Sequence, residues 1–105
     1  METHSKVIGE LVHRIVEEVH PLRIILFGSA AKGDIGQSSD IDLLVVMPEG
    51  VHRRRIAQRL YQNITRSGVP FDILVATPAD LQKHKDNIGL IYRTILQEGR
   101  EVYAA

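Results

Sequence analysis

Asp40-Ile41-Asp42-Leu43-Leu44-Val45-Val46-Met47 carries the main architectural signal of the chain. The run Leu43 to Val46 has no polar face, so residues 41–47 are expected to form a central strand covered on both sides. Pro48-Glu49-Gly50 breaks it. At its start, Asp40 and Asp42 stand two positions apart, and residues i and i+2 of a strand point to the same face. Two carboxylates therefore leave the mouth of a buried strand side by side.

Upstream, Leu22 to Phe27 is short, apolar and β-branched, and Gly28 follows it, which predicts a second buried strand with a sharp exit. Before that, Val7, Ile8, Leu11, Val12, Ile15, Val16 and Val19 recur at helical spacing, so residues 5–19 are read as an amphipathic helix. Ser5 is its expected N-cap, and Pro21 follows its end. The glycine-bearing stretch 29–39 reads as one helical turn followed by a loop.

Downstream, residues 51–66 form a helix with Ile56, Leu60 and Ile64 inward and the arginines outward, closed by Ser67-Gly68. Phe71 to Ala76 is a third strand. Thr77-Pro78-Ala79-Asp80 reads as an N-cap, a proline at the first helical position and an acid at the third, which starts a helix over 78–85. A further helix follows at 87–98, Gly99 ends it, and Glu101-Val102-Tyr103 is read as a last edge strand. The order α, β, short α, β, α, β, α, α, β predicts a small sheet with helices packed on it, an α/β (α+β) fold. With 105 residues, one domain spanning 1–105 is expected.

Composition narrows the function classes. Lys+Arg and Asp+Glu both number 13, so bulk charge gives no reason to expect nonspecific binding to nucleic acid or to an anionic membrane. Without cysteine there is no disulfide and no thiolate metal site, which agrees with the expected cytoplasmic location. No apolar run approaches the roughly 20 residues of a membrane span. The opening Met1-Glu2-Thr3-His4-Ser5-Lys6 leads into an amphipathic pattern and not a signal-peptide core.

The chemistry-bearing residues cluster on the strand ends. Two like charges held close repel, and a divalent cation removes that conflict. Mg²⁺ prefers hard oxygen ligands and commonly keeps phosphate in its shell, so Asp40 and Asp42 point to a Mg²⁺ shared with a nucleotide. Asp72 lies second in the strand Phe71-Asp72-Ile73-Leu74-Val75-Ala76, among apolar residues, where a lone charge is costly unless paired or metal-bound. If that strand lies beside 41–47, three acids come together, enough for two metals roughly 3.5–4 Å apart. Gly28 allows a tight turn and close backbone approach. If Ser29 opens a short helix, free N–H groups would face a phosphate there, with the Ser29 hydroxyl as a further donor and Lys32 as a point charge one turn on. The Gly-Lys-Ser/Thr ending of a Walker loop is absent. Taken singly, each element has an ordinary reading as a turn, a solvated loop end or an edge acid. Their conjunction, in this order and on these elements, is the signal.

Gly28-Ser29, then ten residues, then Asp40-Ile41-Asp42 resembles the signature of the polymerase-β-like nucleotidyltransferase superfamily. Leu26-Phe27-Gly28-Ser29-Ala30-Ala31-Lys32-Gly33 and Ser38-Ser39-Asp40-Ile41-Asp42-Leu43-Leu44-Val45-Val46 look like its minimal nucleotidyltransferase (MNT) branch. Val69-Pro70-Phe71-Asp72-Ile73-Leu74-Val75 looks like the segment with the third carboxylate. The resemblance spans roughly residues 7–103. It implies a mixed sheet flanked by helices, a polymerase-β palm-like fold, and transfer of a nucleoside monophosphate, in the adenylyl case AMP from ATP. It implies that Asp40 and Asp42 ligate both Mg²⁺ ions, that Asp72 ligates one and accepts the proton of the attacking hydroxyl, and that Gly28, Ser29 and Lys32 hold the β- and γ-phosphates. Many MNT proteins are antitoxins encoded beside an HEPN protein, and some transfer AMP to a tyrosine of that toxin, so an HEPN-type protein is the implied partner. The family often carries Arg where this chain has Lys32, which turns a two-pronged phosphate contact into a single-point one.

Two other readings stay open at this stage. One is a binding module that neutralises an HEPN ribonuclease by occlusion with the site vestigial. The other is a small-molecule transferase resembling aminoglycoside nucleotidyltransferases. The latter usually carry an additional acceptor-binding domain, for which 105 residues leave no room unless a homo-oligomer builds the site between subunits. His52-Arg53-Arg54-Arg55 with Arg59 and Arg66 is the densest basic patch, read as a solvated helix face or as a docking surface for an acidic partner or RNA. The five histidines show no metal-ligand spacing and are assigned no role, and Tyr61, Tyr92 and Tyr103 are read as packing residues.

Overall fold

The computed structural model describes residues 2–28, 41–64, 70–83 and 90–105. The first helix, α1 (Glu2–Val19), starts before Ser5, so Ser5 lies inside the helix and is not its cap. At its other end, the His20 N–H donates to the Val16 carbonyl at 3.0 Å while His20 takes φ 49°, the left-handed geometry that ends many helices. Pro21 then stops any continuation.

Four strands follow the expected positions within a residue or two: β1 (Arg23–Phe27), β2 (Ile41–Val46), β3 (Phe71–Ala76) and β4 (Arg100–Ala104). They form one mixed sheet in the order β3-β2-β1-β4. β1 runs antiparallel to β2 and to β4, whereas β2 and β3 are parallel, in register from Ile41↔Phe71 to Val46↔Ala76. The central position expected of Leu43–Val46 is observed, with relative exposures of 0–1%. β4 forms an edge, as the sequence suggested.

Alternation along the strands sorts the apolar residues onto two faces. Ile24, Leu26, Ile41, Leu43, Val45, Ile73 and Val75 pack beneath α1 and α2 (Arg53–Asn63), against Leu11, Ile15 and Leu60. Ile25, Leu44, Val46 and Ala76 pack on the opposite face against Ile95 of α4 (Leu90–Glu98), with Leu81 of α3 (Pro78–Lys83) beside them. Gly99 follows α4 because its Cα meets the sheet closely: an added Cβ would meet the Ile95 carbonyl and lie 2.7 Å from Ile25 Cγ2. The helix expected at 51–66 spans Arg53–Asn63; of those expected at 78–85 and 87–98, residues 78–83 and 90–98 are helical, and 84–89 lie outside the described residues.

The start of α3 is a capping box of the kind read from Thr77-Pro78-Ala79-Asp80. The Asp80 N–H donates to Thr77 Oγ1 at 3.3 Å, and Asp80 Oδ2 accepts from both the N–H and the hydroxyl of Thr77 at 3.0 Å. Glu49 adds a second support by accepting the Ala79 N–H at 2.7 Å, and Arg53 pairs with Asp80 at 3.1 Å. These contacts close the end of the sheet where β2 and β3 finish.

Candidate active site

The opposite end of the sheet is built from Phe27, Gly28, Asp42 and Asp72. Phe27 is the Cα partner of Asp42 across β1 and β2, and Asp42 is the Cα partner of Asp72 across β2 and β3. One row across three strands thus carries an aromatic residue and two adjacent acids. Neighbouring strands lie about 4.8 Å apart, so the two carboxylates leave the same face within easy reach of a single cation. The face is the one that Leu44, Val46 and Ala76 share with α4. Asp42 is half-buried and Asp72 is exposed.

Gly28 locks the third element in place. Its φ of 76° is a conformation that side-chain-bearing residues rarely adopt. An added Cβ would collide with Asp42 Oδ2 and stand 3.4 Å from its Cγ. Only a glycine lets the backbone approach the Asp42 carboxylate this closely, and the turn brings Gly28 against that acid. This contact between two motifs that are distant in sequence follows from the antiparallel β1–β2 register.

Of the residues singled out in the sequence, Gly28, Asp42 and Asp72 come together. Ser29, Lys32 and Asp40 lie outside the described residues, as does the expected helical turn and loop at 29–39. One premise is corrected. Asp72 was read as a charge among apolar residues whose burial demands a partner. It stands exposed on an edge strand, so desolvation gives it no such demand. What favours a cation here is the register with Asp42, which sets two acids side by side. Among the described residues no group of three His, Cys, Asp or Glu forms a ready metal cluster. The donor set Asp42 and Asp72 nevertheless suits a hard divalent ion, and the space a Gly28 Cβ would fill lies against one of its oxygens.

The basic patch is more engaged than its sequence suggested. Arg53 is paired with Asp80, and Arg59 with Glu18 at 3.2 Å, whereas Arg54 and Arg55 are exposed. Arg66 lies outside the described residues. His52, assigned nothing from its spacing, caps α2: its Nδ1 accepts the Arg55 N–H at 3.3 Å. The expected helix over 51–66 put His52 inside it, and imidazole is not among the usual caps, which are Ser, Thr, Asp and Asn. Tyr61 packs, as expected, and does more: its hydroxyl accepts the Ile73 N–H at 2.7 Å, and its ring stacks on Phe71 with centroids 5.7 Å apart. Two hollows among the described residues, about 450 Å³ by Ile8, Val12 and Val102 and about 370 Å³ by Val51 and Arg54, contain neither acid.

The structure is a mixed four-stranded sheet flanked by helices, with two registered acids and a glycine of positive φ at one end of the sheet. Residues 8–102 match the model of the nucleotidyltransferase domain, and the chain belongs to that family. Over 54 residues it is 35% identical to the "Putative protein adenylyltransferase MJ0141" of Methanocaldococcus jannaschii, a match covering 51% of this chain and 54% of that protein. The chain thus spans about half the length of that curated relative. Two solved structures share the fold. One, "Crystal structure of the toxin-antitoxin with AMP-PNP", is similar over 91% of this chain and 73% of its own, with a TM-score of 0.60 and 18% identity. The other, a "putative nucleotidyltransferase from Sulfolobus solfataricus", is similar over 94% and 78%, with a TM-score of 0.62 and 20% identity.

Proposed function

We propose that this nucleotidyltransferase moves AMP from ATP to a hydroxyl of a partner protein, and that it does so as the antitoxin of an HEPN-type toxin. The observation that carries the catalytic reading is the Asp42–Asp72 register with Gly28 closed against the Asp42 carboxylate. The adenylyl and protein-acceptor parts draw on the name of the M. jannaschii relative, and the toxin–antitoxin part on the name of the structural neighbour together with the MNT-like motifs.

In this reading Asp40, Asp42 and Asp72 hold two Mg²⁺ ions, and Gly28, Ser29 and Lys32 hold the β- and γ-phosphates. When bound, the metals neutralise charge on the triphosphate and on the oxygens that exchange at phosphorus. Asp42 would hold a metal at the sheet end, and that metal would supply the positive charge that orients the α-phosphate. Asp72, exposed at the edge, stands where a hydroxyl presented from another chain can reach it, and it accepts that hydroxyl's proton. The acceptor oxygen forms a bond to the α-phosphorus while the bond to the bridging oxygen breaks, and pyrophosphate leaves with its electron pair. Most of the acceleration comes from positioning and charge neutralisation.

The test is incubation with the protein encoded by the neighbouring reading frame, Mg²⁺ and α-labelled ATP. Label is expected on the partner, and none with Asp42→Ala. Absence of transfer by a protein that binds ATP contradicts the reading. Full neutralisation of the partner by an Asp40→Ala/Asp42→Ala variant shifts the function to occlusion.

A further inference from the structure

Among the described residues Tyr61 is one of the few large hydrophobic ones left exposed, at 40%, and it projects from α2 onto the open edge of β3. Its two contacts are not scattered. The ring stacks on Phe71 at an interplanar angle of 12°, and the hydroxyl accepts the Ile73 N–H. Those are the two residues that flank Asp72. In the parallel β2–β3 ladder, the carbonyls of Pro70 and Ala76 accept from Ile41 and Met47, so alternate residues of β3 point to β2. The Ile73 N–H points the other way, off the sheet, where an edge strand is otherwise held from one side alone. Tyr61 supplies the missing side for the strand segment that carries Asp72.

We infer that Tyr61 is a positioning residue for Asp72: it clamps the edge strand on both sides of the carboxylate and fixes its separation from Asp42. The inference rests on the proposed reading of Asp72 as a metal ligand. The Asp72 carboxylate makes no hydrogen bond or ion pair among the described residues, so its aim depends on its backbone. Ring and hydroxyl act on different neighbours. Tyr61→Phe keeps the stack and removes the hydrogen bond, and Tyr61→Leu removes both.

The experiment titrates Mn²⁺ alone into the parent, Tyr61→Phe, Tyr61→Leu and Asp72→Asn, read by the signal of free Mn²⁺ in electron paramagnetic resonance. Amide hydrogen exchange is followed in parallel. Asp72→Asn is expected to weaken binding by on the order of 100-fold, and Tyr61→Phe by about tenfold, the scale at which groups that orient a metal ligand act. Tyr61→Leu is expected to fall between them. In Tyr61→Phe the Ile73 amide is expected to exchange faster while Leu43 and Val45 keep their protection. Binding by Tyr61→Phe within twofold of the parent, with Asp72→Asn impaired, overturns the inference and leaves the reading of Asp72 standing. Unchanged binding by Asp72→Asn overturns both. Loss of protection across Leu43 and Val45 in Tyr61→Phe also overturns it, because Tyr61 would then hold the fold and not the carboxylate.

Discussion

The parallel pair β2–β3 carries acids at both of its ends, and the two ends treat them in opposite ways. Where the strands finish, Glu49 accepts the Ala79 amide and Asp80 is held by Thr77 and Arg53. Where they begin, Asp42 and Asp72 are placed opposite each other in register. A carboxylate that serves the fold is given a helix N-terminus or a guanidinium, both of which compensate its charge. Two carboxylates set side by side repel, and in the proposed reading a divalent cation offsets that repulsion. In the proposed reading, the acids at the finishing end serve the fold and those at the starting end hold a ligand.

Substitutions at the two ends should therefore split activity from stability. The largest effect is expected at the first end: Asp42→Asn or Asp72→Asn should lower label transfer by roughly 10²–10⁴-fold, the range for loss of a group acting directly at the reacting atoms. Gly28→Ala comes next. The positive φ and the collision with Asp42 Oδ2 should cost about 1–2 kcal/mol in denaturant unfolding, with a parallel loss of transfer. At the other end, Thr77→Ala removes the cap of α3 and should cost about 1 kcal/mol with transfer unchanged. The smallest effect has the opposite sign. Asp72→Asn relieves a like-charge neighbour pair and should raise the stability of the metal-free protein by about 0.2–1 kcal/mol, seen as a higher denaturation midpoint. A destabilised Asp72→Asn would break the contrast.

Much of this was legible in the sequence because the signals are local. Strand β2 announced itself through an unbroken apolar run, the α3 cap through Thr77-Pro78-Ala79-Asp80, and the face shared by Ile56, Leu60 and Ile64 through helical spacing. The Asp42–Asp72 pairing was conditional on strand order, which periodicity does not encode. The closure of Gly28 on Asp42 depends on the antiparallel β1–β2 register, and Tyr61 on Ile73 depends on which way α2 packs. The exposure of Asp72 was misjudged for the same reason. Apolar neighbours in sequence predict burial on a central strand, but β3 is an edge, and only the assembled sheet distinguishes the two. His52 escaped because capping by an imidazole leaves little compositional trace.

The most direct test compares the two ends in one spectrum: substoichiometric Mn²⁺ with ATP added to isotope-labelled protein, read as paramagnetic broadening of backbone amides. The account predicts that Phe27, Gly28, Asp42, Leu43 and Asp72 broaden first while Gly50, Thr77 and Asp80 stay sharp. Broadening centred on Gly50, Thr77 and Asp80, or spread evenly over both ends, would contradict it.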